Sequence, residues 1–241
     1  MSDSEALASF LGKWRARWPE WNVAEVFVPR AQREVALAWA ALQQELTDAA
    51  WGGSDPRPGE AKLAWWQEEL AGWARGGRRH PLGAVLQRLP APWVDLAASL
   101  PSLMHSRERP RDADEAFAVL QLFAQAVSRI DLVVLDDRAN GPEATHDEAA
   151  QRVVSAMLLQ TRCVIEGDGY VPLSVIARAG EGDPRAIWGQ QLGQRWPDAA
   201  RAKKVRRLWA ALARQRLQHG DAARPLSAWS TLRTAWRAAR N

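Results

Sequence analysis

Cysteine is almost absent from this chain of 241 residues, since Cys163 is the only one. A lone cysteine excludes an internal disulfide, a pattern that fits a reducing compartment, so we expect a cytoplasmic location. The four histidines, at positions 80, 105, 146 and 219, are scattered and show no metal-ligand spacing. The sequence therefore predicts neither a disulfide framework nor a zinc-type site.

Long apolar runs and phosphate-binding glycine loops are also missing. No uncharged apolar stretch approaches the roughly 20 residues of a membrane span. The N-terminus, MSDSEALASFLGKW, lacks the cationic start and apolar run of a secretory signal. No Gly-x-Ser-x-Gly nucleophile elbow occurs, and the scattered glycines do not follow predicted strands. We expect a soluble protein, and these absences leave no reaction to derive from motifs.

Basic residues exceed acidic ones only slightly, with 32 Lys and Arg against 28 Asp and Glu. Nearly all of the basic charge is arginine, because only four lysines occur. A net charge of +4 is mild and does not require a nucleic acid, so nucleic acid is not an expected partner.

Apolar residues recur at helical spacing along most of the chain, and no segment alternates with the period of a strand. In the stretch 54–73 one stripe holds Leu63, Trp66, Leu70 and Trp73. The stretch 30–50 is rich in alanine and leucine and has no glycine or proline, which favours a long helix. The pattern predicts a single all-α domain over residues 1–241, with roughly eight to ten helices joined by short loops.

Other helices are predicted at residues 4–18, 81–86, 93–103, 115–134, 149–165, 172–179, 184–192, 198–218 and 227–240. Residues 136–147 are polar and contain Gly141 and Pro142, so we expect a loop there. The helix 227–240 carries Trp229, Leu232 and Trp236 at helical spacing.

The helix predicted at residues 198–218 is basic and amphipathic. Its apolar stripe is expected to pack inward and consists of Val205, Leu208, Trp209 and Leu212, followed by Arg216. Cations cover the rest of the helix, namely Arg201, Lys203, Lys204, Arg206, Arg207 and Arg214. The residues allow two interpretations: a bundle helix with a solvated basic face, or weak, salt-sensitive contact with an anionic membrane.

Two adjacent tryptophans stand in the middle of the stretch 54–73. Trp65 points roughly 100° away from Trp66 around the helix. Both can be core residues, or one of them can form the wall of a cavity.

The sequence AKLAWWQEEL at residues 61–70, preceded by Ser54-Asp55-Pro56 and followed by His80-Pro81, resembles the squalene/phytoene synthase family. Phe27-Val28-Pro29 with Arg33, and Tyr170-Val171-Pro172-Leu173, agree with it in the same order. The resemblance covers about residues 20–182. It implies an α-helical isoprenoid-synthase fold around a central cavity. The residues that it makes candidates for the cavity are Asp48, Trp51, Trp65, Trp66, Arg162 and Tyr170.

Active members of that family join two prenyl diphosphates and need two aspartate-rich motifs, because the anionic leaving groups depart with Mg²⁺ held by carboxylates. Counted without gaps, Thr47 and Trp51 stand at the two aspartate positions of the first motif, and only Asp48 is acidic. The second region, before Tyr170, is too short, with Glu166 and Asp168 displaced toward a turn. We therefore expect no catalytic residues, no metal site and no cofactor.

Three hypotheses remain open. The first is a non-catalytic protein with a binding or assembly role, whose ligand is a prenyl or other lipid or whose partner is a protein. The Pro-Gly-Glu at residues 58–60 is similar to a branch of the family that includes a mitochondrial complex I assembly factor. The second is an active, Mg²⁺-dependent transferase whose altered metal site is built by Asp48, Glu68, Glu166 or Asp168. The third is a basic helical module peripheral to an anionic membrane.

Overall fold

Helices make up all the regular structure in the computed structural model, which describes residues 3–135, 148–165 and 169–240. Within these ranges the α-helices are α1 (Asp3–Arg17), α2 (Trp21–Ala24), α3 (Arg30–Trp51), α4 (Arg57–Trp73), α5 (Gly83–Leu86), α6 (Trp93–His105), α7 (Ala113–Ala118), α8 (Gln121–Val134), α9 (Glu148–Val164), α10 (Leu173–Arg178), α11 (Pro184–Gln194), α12 (Lys204–Gln218) and α13 (Ala228–Arg240). A 3₁₀ turn, Glu25–Phe27, follows α2. The predicted all-α class is confirmed for the described residues, and the predicted loop at 136–147 lies outside them.

Helix α3 occupies the middle of the fold, where it packs against α1, α4, α6 and α8. Its contact with α4 is closest at Gly59, because a Cβ built there would lie 2.1 Å from the carbonyl oxygen of Ala49. Only glycine allows the first turn of α4 to approach the last turns of α3 this closely. The glycine of the Pro-Gly-Glu sequence therefore has a packing role.

The predicted inward stripes are confirmed. Leu63, Trp66, Leu70 and Trp73 of α4 are at most 4% exposed. Leu42 of α3 and Phe123 and Val127 of α8 are 0% exposed. They belong to one cluster of buried apolar side chains that runs from Trp14 to Ala235.

Two predicted helices differ most from those in the structure. The helix predicted over 115–134 is broken between α7 and α8, where the Leu120 N–H bonds to the Phe117 carbonyl only three residues back. The helix predicted from residue 198 begins at Lys204. The Asp198 carboxylate accepts from the Ala200 N–H at 3.0 Å, which favours a turn over a helix, and Lys203 is extended with ψ 146°.

Helix α12 is held by two buried ion pairs that the sequence patterns did not predict. Arg216 donates from Nε and Nη2 to the Glu20 carboxylate at 2.8 and 2.6 Å, with both side chains fully buried. Glu20 also accepts from the Leu226 N–H at 2.8 Å. This carboxylate therefore joins the turn after α1, helix α12 and the segment before α13.

The second ion pair joins α12 to α8 and α3. Arg206 donates to both oxygens of Asp131 at 2.7 Å. Asp131 also accepts from Trp39 Nε1 at 2.7 Å, and Arg206 donates to Gln43 Oε1 at 3.1 Å. Arg206, expected on the cationic surface, is instead 3% exposed, because its charge is matched inside the fold.

Candidate functional site

A small pocket, half open to solvent, lies where α1, α3, α9 and α12 meet. We call it the central cavity, and its volume is about 60 Å³. Its lining residues are Trp14, Arg17, Trp18, Ala40, Gln43, Gln44, Thr47, Val154, Met157, Leu158, Thr161, Arg206 and Trp209. This lining contains two guanidinium groups and no carboxylate. An apolar cavity of about 150 Å³ holds benzene, so this space is too small even for that ligand.

Thr47, the position of the first family aspartate, faces this cavity but directs its hydroxyl back to its own helix. Oγ1 donates to the carbonyls of Gln43 at 2.9 Å and Gln44 at 3.1 Å, and the residue is 2% exposed. The hydroxyl is thus used by the helix backbone.

Asp48, the one acidic residue in the first motif region, is bound by an arginine. Arg17, in the last turn of α1, donates to its two oxygens at 2.7 and 3.3 Å. The pair is about one-third exposed and lies beside the central cavity, which Arg17 lines and Asp48 does not. A metal at Asp48 would have to displace this cation.

Trp51, at the second aspartate position, is buried and hydrogen-bonded within the fold. Its Nε1 donates to Ser106 Oγ at 2.9 Å, and that hydroxyl donates to the Leu103 carbonyl at 2.6 Å. The indole therefore ties the end of α3 to the end of α6. It supplies apolar volume at the position where the family resemblance would place a metal-binding carboxylate.

Trp51, Arg162 and Tyr170 line one groove, which we call the Arg162 groove. Its remaining lining residues are Gly53, Ser54, Arg107, Ile165 and Gly169. Arg162 is 5% exposed, and its Nη2 donates to the carbonyls of Arg107, Glu108 and Gly169 at 2.7, 3.2 and 3.2 Å. Burial lowers the pKa of Arg162 to about 10, so the guanidinium stays charged at neutral pH. Glu166 and Asp168 of the second motif region lie outside the described residues.

The tryptophan pair belongs to a third place, around His80 in the segment that follows α4. The imidazole of His80 lies 4.5 Å from Trp66, 6.0 Å from Trp65 and 4.5 Å from Phe10, between ring centroids. Neither tryptophan lines the central cavity or the Arg162 groove. The structure thus brings together three of the six candidate cavity residues. Asp48 and the tryptophan pair lie elsewhere, because Asp48 pairs with Arg17 and the two tryptophans pack around His80.

Glu69 is a buried carboxylate next to this aromatic cluster. It accepts from Trp73 Nε1 at 2.8 Å, from the Arg79 N–H at 2.7 Å and from the His80 N–H at 2.8 Å. Burial by itself would raise the pKa of Glu69, but these hydrogen bonds, with that from the Arg79 side chain, hold it below its ordinary value. The sequence signal for the burial of Glu69 was its position four residues before Trp73, on the buried side of α4.

His80 and Cys163 are unsuited to acid–base or nucleophilic work. Burial lowers the pKa of His80 to about 4, so the ring is neutral, and Nδ1 accepts from the Leu82 N–H at 3.2 Å. Burial raises the pKa of Cys163 to about 12, and its thiol donates to the Leu159 carbonyl at 3.3 Å. A thiol with this pKa supplies almost no thiolate at neutral pH.

The donor set does not fit the magnesium ions that the family resemblance implies. No group of three or more His, Cys, Asp or Glu side chains converges within residues 3–135, 148–165 and 169–240. The only acidic residue in the first motif region, Asp48, is paired with Arg17. Mg²⁺ requires near-octahedral oxygen coordination, which neither the central cavity nor the described part of the Arg162 groove offers.

Comparison with known proteins adds no family: no family model matches the chain, and no curated protein matches it. The squalene/phytoene synthase resemblance remains a prediction based on the motif residues. Across the helices described, none is long and apolar enough to cross a bilayer.

Proposed function

We propose that this chain is a non-catalytic protein with a binding or assembly role, built on a helical fold of squalene/phytoene synthase type. One observation carries the proposal: the central cavity has a volume of about 60 Å³, and the described residues that line it include two arginines and no carboxylate. A diphosphate-transferring enzyme needs the opposite arrangement, with carboxylates around a space that accommodates two prenyl chains.

Tryptophan side chains line the central cavity. This supports a role as a protein scaffold over a role in which the bundle encloses a prenyl chain. Trp14, Trp18 and Trp209 line the cavity, and the Trp14 and Trp209 ring centroids lie 6.1 Å apart. A prenyl or other lipid ligand inside the bundle would have to displace these indoles. The binding role is therefore assigned to the surface, with a protein partner favoured over an internal lipid.

The alternative of an active transferase draws no support from the two carboxylates that are described. Asp48 pairs with Arg17 at 2.7 Å, whereas Glu68 is exposed on α4 and lies 3.6 Å from Arg79. They contact different arginines on different segments. The remaining candidates, Glu166 and Asp168, lie outside the described residues.

The proposal is tested with purified protein, farnesyl or geranylgeranyl diphosphate and Mg²⁺, by following diphosphate release and extracted hydrocarbon product. We expect no turnover, and no micromolar Mg²⁺ binding by isothermal titration, because too few oxygen ligands converge. The matched variant Thr47→Asp with Trp51→Asp restores the first pair of aspartates. It should stay inactive, because the second region also lacks its motif. Magnesium-dependent product from the unaltered protein would refute the proposal.

A further inference from the structure

The outward face of α13 exposes two tryptophan side chains, whereas the other tryptophans of the chain are buried or half-buried. Trp229 is 77% exposed, Trp236 48% and Leu232 37%, and their spacing places them on one side of the helix. Exposed indoles of this size, grouped on one helix, indicate a surface that is covered when the protein functions.

Cations flank the same face. Arg233, Arg237 and Arg240 are exposed on α13, and the Arg240 guanidinium carbon lies 4.6 Å from the Trp236 ring centroid. No Asp or Glu occurs from residue 222 to the end of the sequence. We call this surface the Trp229 face. It consists of Trp229, Leu232, Arg233, Trp236, Arg237 and Arg240. It combines apolar contact area with positive charge, and none of these arginines forms an ion pair with a described carboxylate.

A groove of about 300 Å³ between α12 and α13 extends the positive charge beyond Arg237. Arg207, Arg214 and Arg237 line it, together with one carboxylate, Asp198, whose oxygen already accepts from the Ala200 N–H. Three guanidinium groups around one groove suit an anionic phosphate headgroup.

The opposite side of α13 fixes its orientation. Thr231 is 1% and Ala235 0% exposed, and the helix packs through this side against α12 and α2. Rotation of α13 to bury its tryptophans would expose these small residues and force indoles into a closely packed contact. The Trp229 face is therefore held outward by the rest of the fold.

We propose that the Trp229 face binds the surface of an anionic lipid bilayer, with α13 lying in the plane of the interface. Tryptophan favours the headgroup level of a membrane, and arginines beside it attract anionic headgroups. An amphipathic helix with aromatic and basic residues on its outer side is the pattern of interfacial binding. A second copy of the chain fits less well, because three arginines would meet three arginines. The inference is independent of the assembly role proposed above.

The test is co-sedimentation of the full chain with vesicles of phosphatidylcholine containing about one-third phosphatidylglycerol, at about 0.15 M salt. Vesicles of phosphatidylcholine alone are the lipid control. Trp229→Ser with Trp236→Ser should lower the partition coefficient at least roughly tenfold, because the apolar anchor is removed. Arg233→Gln, Arg237→Gln and Arg240→Gln together should lower it roughly 100-fold, since each basic residue contributes about a factor of five.

Matched variants away from α13 separate local from general effects. Leu122→Ser removes an apolar side chain that is 63% exposed on α8. Arg75→Gln, Arg88→Gln and Arg109→Gln together change the net charge as the α13 triple variant does, at three other exposed positions. Both should leave vesicle binding within about twofold of wild type. All variants should keep the wild-type circular dichroism spectrum and Tm, because the altered side chains are exposed.

Three results would overturn the proposal. The first is no binding of the wild-type chain to the anionic vesicles, even at low salt. The second is equal binding by the double tryptophan variant. The third is a wild-type dimer that the double tryptophan variant converts to monomer while vesicle binding is unchanged, since a second copy would then cover the face.

Discussion

Helices α12 and α13 are built from the same residue types and use them in opposite ways. In α12 the indole of Trp209 and the guanidiniums of Arg206 and Arg216 are buried. In α13 Trp229 and Trp236 are exposed, and the buried side chains are Thr231 and Ala235. Both helices are amphipathic and basic, yet one turns its aromatic side inward and the other turns it outward.

The difference shows that an apolar stripe predicts a helix without predicting which neighbour covers it. An indole is buried where the facing helices leave room for it. Trp209 is an example, because its ring centroid lies 6.1 Å from that of Trp14 and 5.6 Å from that of Trp21. Helix α13 meets α12 and α2 through small side chains, so the contact is close and indoles do not fit. Charge does not decide direction either, because Arg206 and Arg216 are buried where they pair with Asp131 and Glu20.

The comparison is tested most strongly by truncating one tryptophan of each helix. Trp209→Ala should lower the free energy of unfolding by about 3–5 kcal/mol, because the site is buried and borders a cavity that would grow. Trp229→Ala should change it by no more than about 0.5 kcal/mol, because the indole is exposed. Urea denaturation followed by circular dichroism measures both. A similar loss for the two variants would mean that α13 does not turn its tryptophans outward.

The second prediction concerns Glu20, whose carboxylate pairs with the buried Arg216 of α12. Glu20→Gln should cost about 3 kcal/mol, because Arg216 would keep its charge in a fully buried place without a matching anion. Arg214→Gln, on the exposed side of the same helix, is the control and should stay within about 0.5 kcal/mol. Chemical denaturation at neutral pH measures the difference. A stability of Glu20→Gln equal to that of wild type would show that the ion pair adds nothing to α12.

Most of the inward faces were predictable from the sequence because helical periodicity is a local property. Trp66 and Leu70 of α4, and Val205 and Leu208 of α12, are buried as their spacing predicts. The same local rule predicted α13 from Trp229, Leu232 and Trp236 but gave no direction for it. Direction depends on the neighbouring helices, and no spacing within one helix encodes it.

The polar interior was not predictable, because each partner is distant along the chain. Glu20 and Arg216 are separated by 196 residues, and Asp131 and Arg206 by 75. In the candidate site the same difficulty applies to Asp48, whose partner Arg17 is 31 residues away. The residues Trp51, Arg162 and Tyr170 line one groove.

A third prediction tests the close contact that turns α13 outward. Ala235→Leu should cost about 1–3 kcal/mol, because three added carbon atoms must enter a fully buried contact with the neighbouring helices. Ala228→Leu, at the exposed start of the same helix, has the same change in volume and should stay within about 0.5 kcal/mol. Thermal and urea unfolding of both variants give the comparison. If Ala235→Leu were neutral, the contact would have room for larger side chains, and the packing reason for α13's orientation would fail.

The smallest expected effect tests whether the buried side of α13 is stabilised by the shape of its side chains or by their hydrogen bonds. Thr231 is 1% exposed, and its hydroxyl donates to the Ser227 carbonyl at 2.9 Å. That carbonyl also accepts from the Thr231 N–H at 2.9 Å, so it keeps a partner if the hydroxyl is lost. Thr231→Val retains the volume and removes a donor together with its bond, so the free energy of unfolding should change by less than about 0.5 kcal/mol. A loss near that of Glu20→Gln would mean that α13, like α12, depends on buried polar contacts, and the distinction between the two helices would rest on their aromatic sides alone.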